Sequence, residues 1–176
     1  MAILRKHQLA VLAVAALSGA AWAAGALDKG DTKFVENAAK AGQYEVQAGQ
    51  IAASKASDPA VKAFGETLVK DHTAANDELK QFAASKSVTL PTELTHHQRS
   101  EIDKLNKLSG PEFDREFIKQ TGVKDHKDTI KDFEKAAKNA KDPDLKAWAA
   151  KTAPTLRAHE DQAKGLEDQI KKNKKS

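Results

Sequence analysis

The sequence predicts an all-α fold, a four-helix bundle built from two αα-hairpins that are joined by a long crossover containing a short extra helix. Apolar residues recur at steps of three and four along four long stretches, which is the period of a helix with one buried face. The helix-start signal Asp58-Pro59 returns 84 residues later as Asp142-Pro143, with similar residues around it. A composition of 40% hydrophobic residues, among which alanine is the most frequent, and only 5% aromatic residues also favours helices over sheet.

The first 23 residues have the pattern of a secretory signal peptide. Arg5 and Lys6 precede an apolar run from Leu9 to Leu17, and small residues lead up to Ala23, after which we expect cleavage. The apolar run is shorter than the roughly 20 residues that span a bilayer, so no transmembrane segment is expected after cleavage. These residues predict an exported, periplasmic protein, in which residues 24–30 form a flexible leader.

Cysteine usage and charge exclude several classes of protein. The chain has no cysteine, so it has neither disulfides nor thiolate metal sites. Removal of the signal peptide would leave 27 basic and 25 acidic residues. Their alternation along the chain is typical of solvated helix faces and does not indicate a nucleic-acid partner.

The first hairpin is predicted from two helices with almost no loop between them. Asp31 is the expected N-cap of the first helix, which ends near Ala56, and Pro59 begins the second. So short a connection makes the two helices antiparallel neighbours. Their predicted buried lines are Phe34, Ala38, Ala41, Glu45, Ala48 and Ala52, and then Val61, Phe64, Leu68, His72, Ala75, Leu79 and Phe82.

The rest of the chain predicts the crossover and the second hairpin. Residues 92–108 form the expected crossover helix, and Ser109 with Glu112 has the spacing of a capping box at the start of the third long helix. The apolar stripe of that helix slips near Gly122, which predicts a local kink. The fourth helix begins at Pro143, and Pro154 should bend it. The bundle is thus predicted to span residues 31–170, followed by a disordered basic tail at 171–176.

Each long helix places one residue that can bind a metal on its apolar line. These residues are Glu45, His72, His126 and His159, and a rise of about 1.5 Å per residue puts all four near mid-height of the bundle. Three imidazoles and a carboxylate suit one divalent ion such as zinc, iron, copper or manganese. A metal-free network is the alternative, in which the histidines bond to Glu45, Tyr44 or one another. Both interpretations stay open at this point.

Four further residues of types that bind metals give a weaker signal for a metal site. His96 and His97 form an exposed pair on the crossover and are interpreted as incidental. Asp71 and Asp125 each precede a core histidine in a repeated Lys-Asp-His, and we expect them either to face solvent or to bond to the histidines from outside.

The chain resembles a family of exported bacterial helical proteins, the domain of unknown function 4142 family, over about residues 31–170. The resemblance rests on Asp31-x-x-Phe34, Gly42-x-x-Glu45, Val61-Lys62-x-Phe64, Asp71-His72, Leu90-Pro91, Phe113-Asp114, His126 and Leu156-x-x-His159. It implies a ferritin-like bundle and an envelope location, and family members are often labelled outer membrane proteins. The family has no settled activity.

The di-iron carboxylate set of the wider ferritin-like proteins is missing from this chain. Those proteins use a glutamate on two helices and Glu-x-x-His on the other two. Glu45 matches one glutamate position, but Val69 and Leu156 stand three residues before His72 and His159. We therefore do not expect ferroxidase or oxygenase activity.

Three functional hypotheses follow. In the first, a periplasmic ferritin-like bundle binds a metal ion or small ligand at Glu45, His72, His126 and His159 and serves in envelope stress protection. In the second, the protein is a structural component of the cell envelope, whose charged outer faces meet an unknown partner or associate peripherally with a membrane. An enzyme ranks last, because the sequence contains no nucleophile motif, phosphate loop or cofactor motif.

Overall fold

The computed structural model describes residues 25–173, which form six α-helices and one π-helical segment. The predicted signal peptide, with its expected cleavage site after Ala23, and the last three residues of the predicted tail lie outside this range. The α-helices are α1 Lys29–Lys55, α2 Pro59–Ser85, α3 His96–Lys107, α4 Gly110–Phe117, α5 His126–Asn139 and α6 Pro143–Asn173. The segment Ile118–Asp125, called the π segment below, joins α4 and α5. No helix in the described range is both long enough and apolar enough to cross a bilayer.

The two hairpin turns lie at opposite ends of the bundle, and each is bound by an aspartate of the other hairpin. Asp31 of α1 accepts hydrogen bonds from the backbone N–H groups of Lys141 and Asp142, at 2.9 and 2.7 Å. Asp114 of α4 accepts from the N–H groups in the first turn, Ser57 and Asp58, at 3.0 and 2.9 Å. Helix α1 therefore runs parallel to α6, and α2 runs parallel to α4 and α5, which is the order of a ferritin-like bundle.

The crossover runs along α1 and contains α3, as the sequence predicts. Its helix begins at His96 and not at Thr92, because Thr95 and Gln98 form a reciprocal capping box that fixes the start. The Gln98 amide also donates to the carbonyl oxygen of Lys40, and Lys55 Nζ donates to that of Asn106 at 2.6 Å. These bonds hold α3 against α1.

Two predicted helix ends and one predicted capping box are wrong in detail. Helix α1 begins at Lys29, because Asp28 is the N-cap and accepts from the Asp31 N–H at 2.8 Å. Helix α4 begins directly after Ser109, as predicted, but the Ser109 side chain makes no capping hydrogen bond. Helix α6 continues through Pro154 to Asn173, so residues 171–173 are helical where a disordered tail was expected.

A polar layer divides the hydrophobic core into two clusters. The Trp148 cluster lies toward the second hairpin turn and includes Leu79, Phe82, Ile130, Phe133, Trp148 and Leu156. The Phe64 cluster lies toward the first turn and includes Ala48, Phe64, Leu68, Phe117, Ile118 and Ala163. On α2 and on α6 the chain passes from one cluster to the other through His72 and His159. The polar residues therefore lie near mid-height, where the sequence places them.

Candidate metal centre

The structure brings Glu45, His72, His126 and His159 together between the two core clusters, and all four are buried. Glu45 Oε2 lies 3.0 Å from His72 Nδ1, and Glu45 Oε1 lies 3.6 Å from His126 Nδ1. The three imidazole rings pack against one another with centroids 5.3 to 5.5 Å apart. One side chain from each of the four long helices thus contributes to a single buried site.

The outer nitrogen of each imidazole contacts an oxygen. His72 Nδ1 faces Glu45 Oε2, His126 Nδ1 lies 2.8 Å from the carbonyl oxygen of Thr121, and His159 Nε2 lies 3.0 Å from Asp71 Oδ2. A carbonyl oxygen can only accept, so His126 Nδ1 carries the hydrogen. An ionised Asp71 is likewise only an acceptor, so His159 Nε2 donates to it.

The other ring nitrogen of each imidazole is called the inner nitrogen, and those of His126 and His159 face each other. His126 Nε2 and His159 Nδ1 lie 3.3 Å apart, and the outer bonds leave a lone pair on each of these atoms in the neutral ring. His72 Nε2 and Glu45 Oε1 are buried and have no hydrogen-bond partner among the described residues. One ring nitrogen from each histidine lies within 4.8 Å of the other two, which is a spacing that can hold a metal ion. In the described part of the chain this group comprises His72, His126 and His159, without Glu45.

Burial shifts the pKa values of Glu45, His72 and His126 in the directions that favour their neutral forms. Burial and the neighbouring imidazoles lower the pKa of His72 well below its usual value. Burial lowers the pKa of His126 to about 4, and His159 adds to the shift, although the bond to the Thr121 carbonyl opposes it. Burial and the charge of Asp125 raise the pKa of Glu45 well above its usual value. Both directions favour the neutral forms of Glu45 and His72, whose Oε2 and Nδ1 atoms are 3.0 Å apart.

The two aspartates of the Lys-Asp-His repeats have different roles. Asp71 contacts His159 from outside the centre, which is one of the two roles expected from the sequence. Asp125 lies beside Tyr44, whose hydroxyl is 2.9 Å from Thr121 Oγ1. The network hypothesis allowed a hydrogen bond between Tyr44 and a histidine. Tyr44 instead contacts Thr121, whose carbonyl oxygen contacts His126.

Sequence reasoning missed the contribution of the Thr121 carbonyl. One signal for it was the slip of the apolar stripe near Gly122, where the structure has the π segment. His96 and His97 lie exposed on the first turn of α3 and take no part in the cluster.

Comparisons with known proteins bear on the fold and the family. The family described as "Domain of unknown function (DUF4142)" matches residues 16–166. The chain is also similar to a solved structure, described as the crystal structure of a DUF305 fragment from Deinococcus radiodurans. The TM-score is 0.73 at 11% sequence identity, over 82% of this chain and 99% of that one. This likeness shows a shared helical-bundle fold. A comparison with the curated proteins gave no match.

Proposed function

Because the chain belongs to the DUF4142 family, as its sequence resemblance predicted, and this family name states no activity, we propose a function from the site itself. The protein binds one divalent metal ion through His72, His126 and His159. The observation that carries the proposal is that an oxygen contacts one nitrogen of each imidazole, while one ring nitrogen of each histidine lies within 4.8 Å of one in both others.

The spacing of the inner nitrogens suits direct coordination. Metal–nitrogen bonds of about 2.1 Å at a tetrahedral angle place two ligand nitrogens about 3.4 Å apart. His126 Nε2 and His159 Nδ1 are already 3.3 Å apart. His72 Nε2, which has no protein partner, is the natural third ligand. A tetrahedral ion would then retain one position for water or a small ligand.

Glu45 and Asp71 serve this centre from outside. Histidines that bind metals commonly donate their other ring N–H to a carboxylate, which fixes the orientation of the ring. Glu45 Oε2 contacts His72 and Asp71 Oδ2 contacts His159 in this manner. Glu45 is therefore assigned to orienting His72, in place of the ligand role that the sequence hypothesis gave it.

Charge balance favours a divalent ion. A dication at the centre stabilises the Glu45 carboxylate and so opposes the pKa shift that burial imposes on it. Two positive charges are then matched by the carboxylates of Glu45 and Asp71, whereas a trivalent ion would leave a buried charge unbalanced. Imidazole ligands suit zinc, copper, iron or nickel better than calcium or magnesium.

Metal content and metal titration test this proposal. Protein purified without a polyhistidine tag, either as isolated or titrated with zinc, iron, copper or manganese, should hold close to one equivalent. Joint replacement of His72, His126 and His159 by glutamine should abolish binding, whereas the exposed control His96→Gln should not. If no ion binds the wild-type protein near this stoichiometry, the metal-free network is the correct interpretation, and the three histidines then serve only to fix the packing of the helices.

We also propose that the protein acts outside the cytoplasm. The pattern of residues 1–23 supports this, and sequencing the N-terminus of the mature protein should find a start at Ala24. An unprocessed N-terminus would contradict export. A role in envelope stress protection is the corresponding hypothesis in the cell, and greater metal or oxidant sensitivity of a deletion strain tests it.

A further inference from the structure

The second hairpin contains one residue more than the first, and the π segment is where that residue lies. Asp31 and Asp114, which bind the opposite turns, are 83 positions apart, as are Phe34 and Phe117. The turn residues Asp58 and Asp142 are 84 positions apart. The extra residue therefore falls between Phe117 and Asp142. The equivalent stretch of the first hairpin, in α1, is regular α-helix, whereas this stretch contains the π segment Ile118–Asp125.

The π segment touches the metal centre at two points. The carbonyl oxygen of Thr121 lies 2.8 Å from His126 Nδ1, five positions further along the chain. At Gly122 the backbone approaches α6 so closely that a Cβ there would lie 2.7 Å from Ala163 Cβ and 3.2 Å from the Phe64 ring. The first contact fixes the hydrogen on His126, and the second sets the distance between the helices that carry His126 and His159.

We propose that the extra residue in the π segment builds the centre, with Thr121 and Gly122 as its positioning residues. A π-helix absorbs one inserted residue while both flanking helices stay in register with the core. Phe117 and Ile130 can therefore face the core on either side, while the local backbone turns the Thr121 carbonyl toward the ring of His126. This inference concerns how His126 is oriented, and its metal-binding consequence rests on the proposed function.

Removing the extra residue tests the inference. Deletion of the exposed Lys119 should convert the π segment to α-helix and leave both flanks in place. The variant should retain its helical circular dichroism and cooperative unfolding, while its affinity for zinc falls at least about tenfold, as when the outer partner of a ligand is lost. The substitution Lys119→Ala is the matched control, because it changes the same side chain without shortening the chain. An unchanged zinc affinity in the deletion variant would overturn the proposal.

A second variant addresses the case in which the deletion prevents folding. Gly122→Ala adds one methyl group against Ala163 and should also weaken zinc binding by about tenfold. The control Gly165→Ala adds the same group to α6 where nothing lies within 4 Å, and it should bind zinc as the wild type does. Equal zinc affinities for these two variants would contradict a positioning role for Gly122.

Nitrogen NMR of the imidazoles separates this inference from the proposed function. In the metal-free wild type His126 should carry its hydrogen on Nδ1, and in the Lys119 deletion or Gly122→Ala it should populate both tautomers. If the wild type binds no zinc but the tautomer changes in this way, the proposed function fails and the positioning role of the π segment stands. If the tautomer is the same in all three proteins, the positioning role fails whatever the metal result.

Discussion

The buried histidines should make the stability of the metal-free protein depend on pH, and His126 gives the sharpest case. Its pKa is about 4 in the folded state, whereas an unfolded histidine titrates near 6.5. Between these values the unfolded chain binds the additional proton, so the free energy of unfolding falls as the pH drops. His72 acts in the same direction, because its pKa is also lowered. Glu45 acts in the opposite direction, because its raised pKa makes the folded state hold a proton that the unfolded state releases.

The size of the His126 contribution follows from these pKa values. Integrating its proton uptake from about pH 7 to pH 5 gives a loss of about 2 kcal/mol in the free energy of unfolding. In the variant His126→Gln this part of the loss should be absent, so the difference in stability between the two pH values should shrink by about 2 kcal/mol. In Glu45→Gln the opposing contribution disappears, and the loss toward low pH should become steeper than in the wild type.

Chemical denaturation followed by circular dichroism measures this effect. The protein is kept metal-free with a chelator, at constant ionic strength, and the free energies of unfolding at about pH 7 and pH 5 are compared. The exposed His96→Gln variant is the control for loss of a histidine outside the layer. A pH dependence in His126→Gln equal to that of the wild type would refute the reasoning, because His126 would then not be held neutral by burial.

Two further predictions concern packing and the hairpin turns. Gly65→Ala should destabilise the protein by about 1–3 kcal/mol in chemical denaturation, because its Cβ would lie 2.7 Å from Ala52 Cβ. The control Gly165→Ala, in an open helical position, should be neutral or stabilising by up to about 1 kcal/mol. Equal effects of the two would contradict the close approach of α1 and α2. Asp114→Ala should lower the free energy of unfolding by about 2 kcal/mol or more, because it removes the acceptor for the backbone N–H groups of the first turn. A decrease below about 0.5 kcal/mol would show that Asp114 does not hold that turn.

Much of the fold could be predicted from local sequence signals. The Asp-Pro pairs define both hairpin turns because proline suits the first turn of a helix and aspartate suits its cap, and neither depends on distant residues. Apolar spacing identified the helix faces and placed a histidine on each of three helices. Helix ends were less accurate, as at Asp28 and Thr95, because several neighbouring residues could form the cap and the chain uses the one whose contacts are best satisfied.

The candidate site shows where sequence reasoning stops. Helical periodicity and rise per residue were enough to bring Glu45, His72, His126 and His159 to one height, since both follow from backbone geometry alone. The division between inner and outer positions could not be predicted, because it depends on which ring nitrogen meets Glu45, Thr121 or Asp71 across the bundle. In the sequence the π segment is visible as a slip near Gly122 and as a change in repeat spacing from 83 to 84 residues. Neither signal shows that the Thr121 carbonyl points toward His126, because that direction depends on the local backbone. The sequence by itself therefore determined the helices, their pairing into two hairpins and the residues of the polar layer. The tertiary structure decided which atoms of those residues face the centre of the layer, because only packing between helices sets the orientation of a buried side chain.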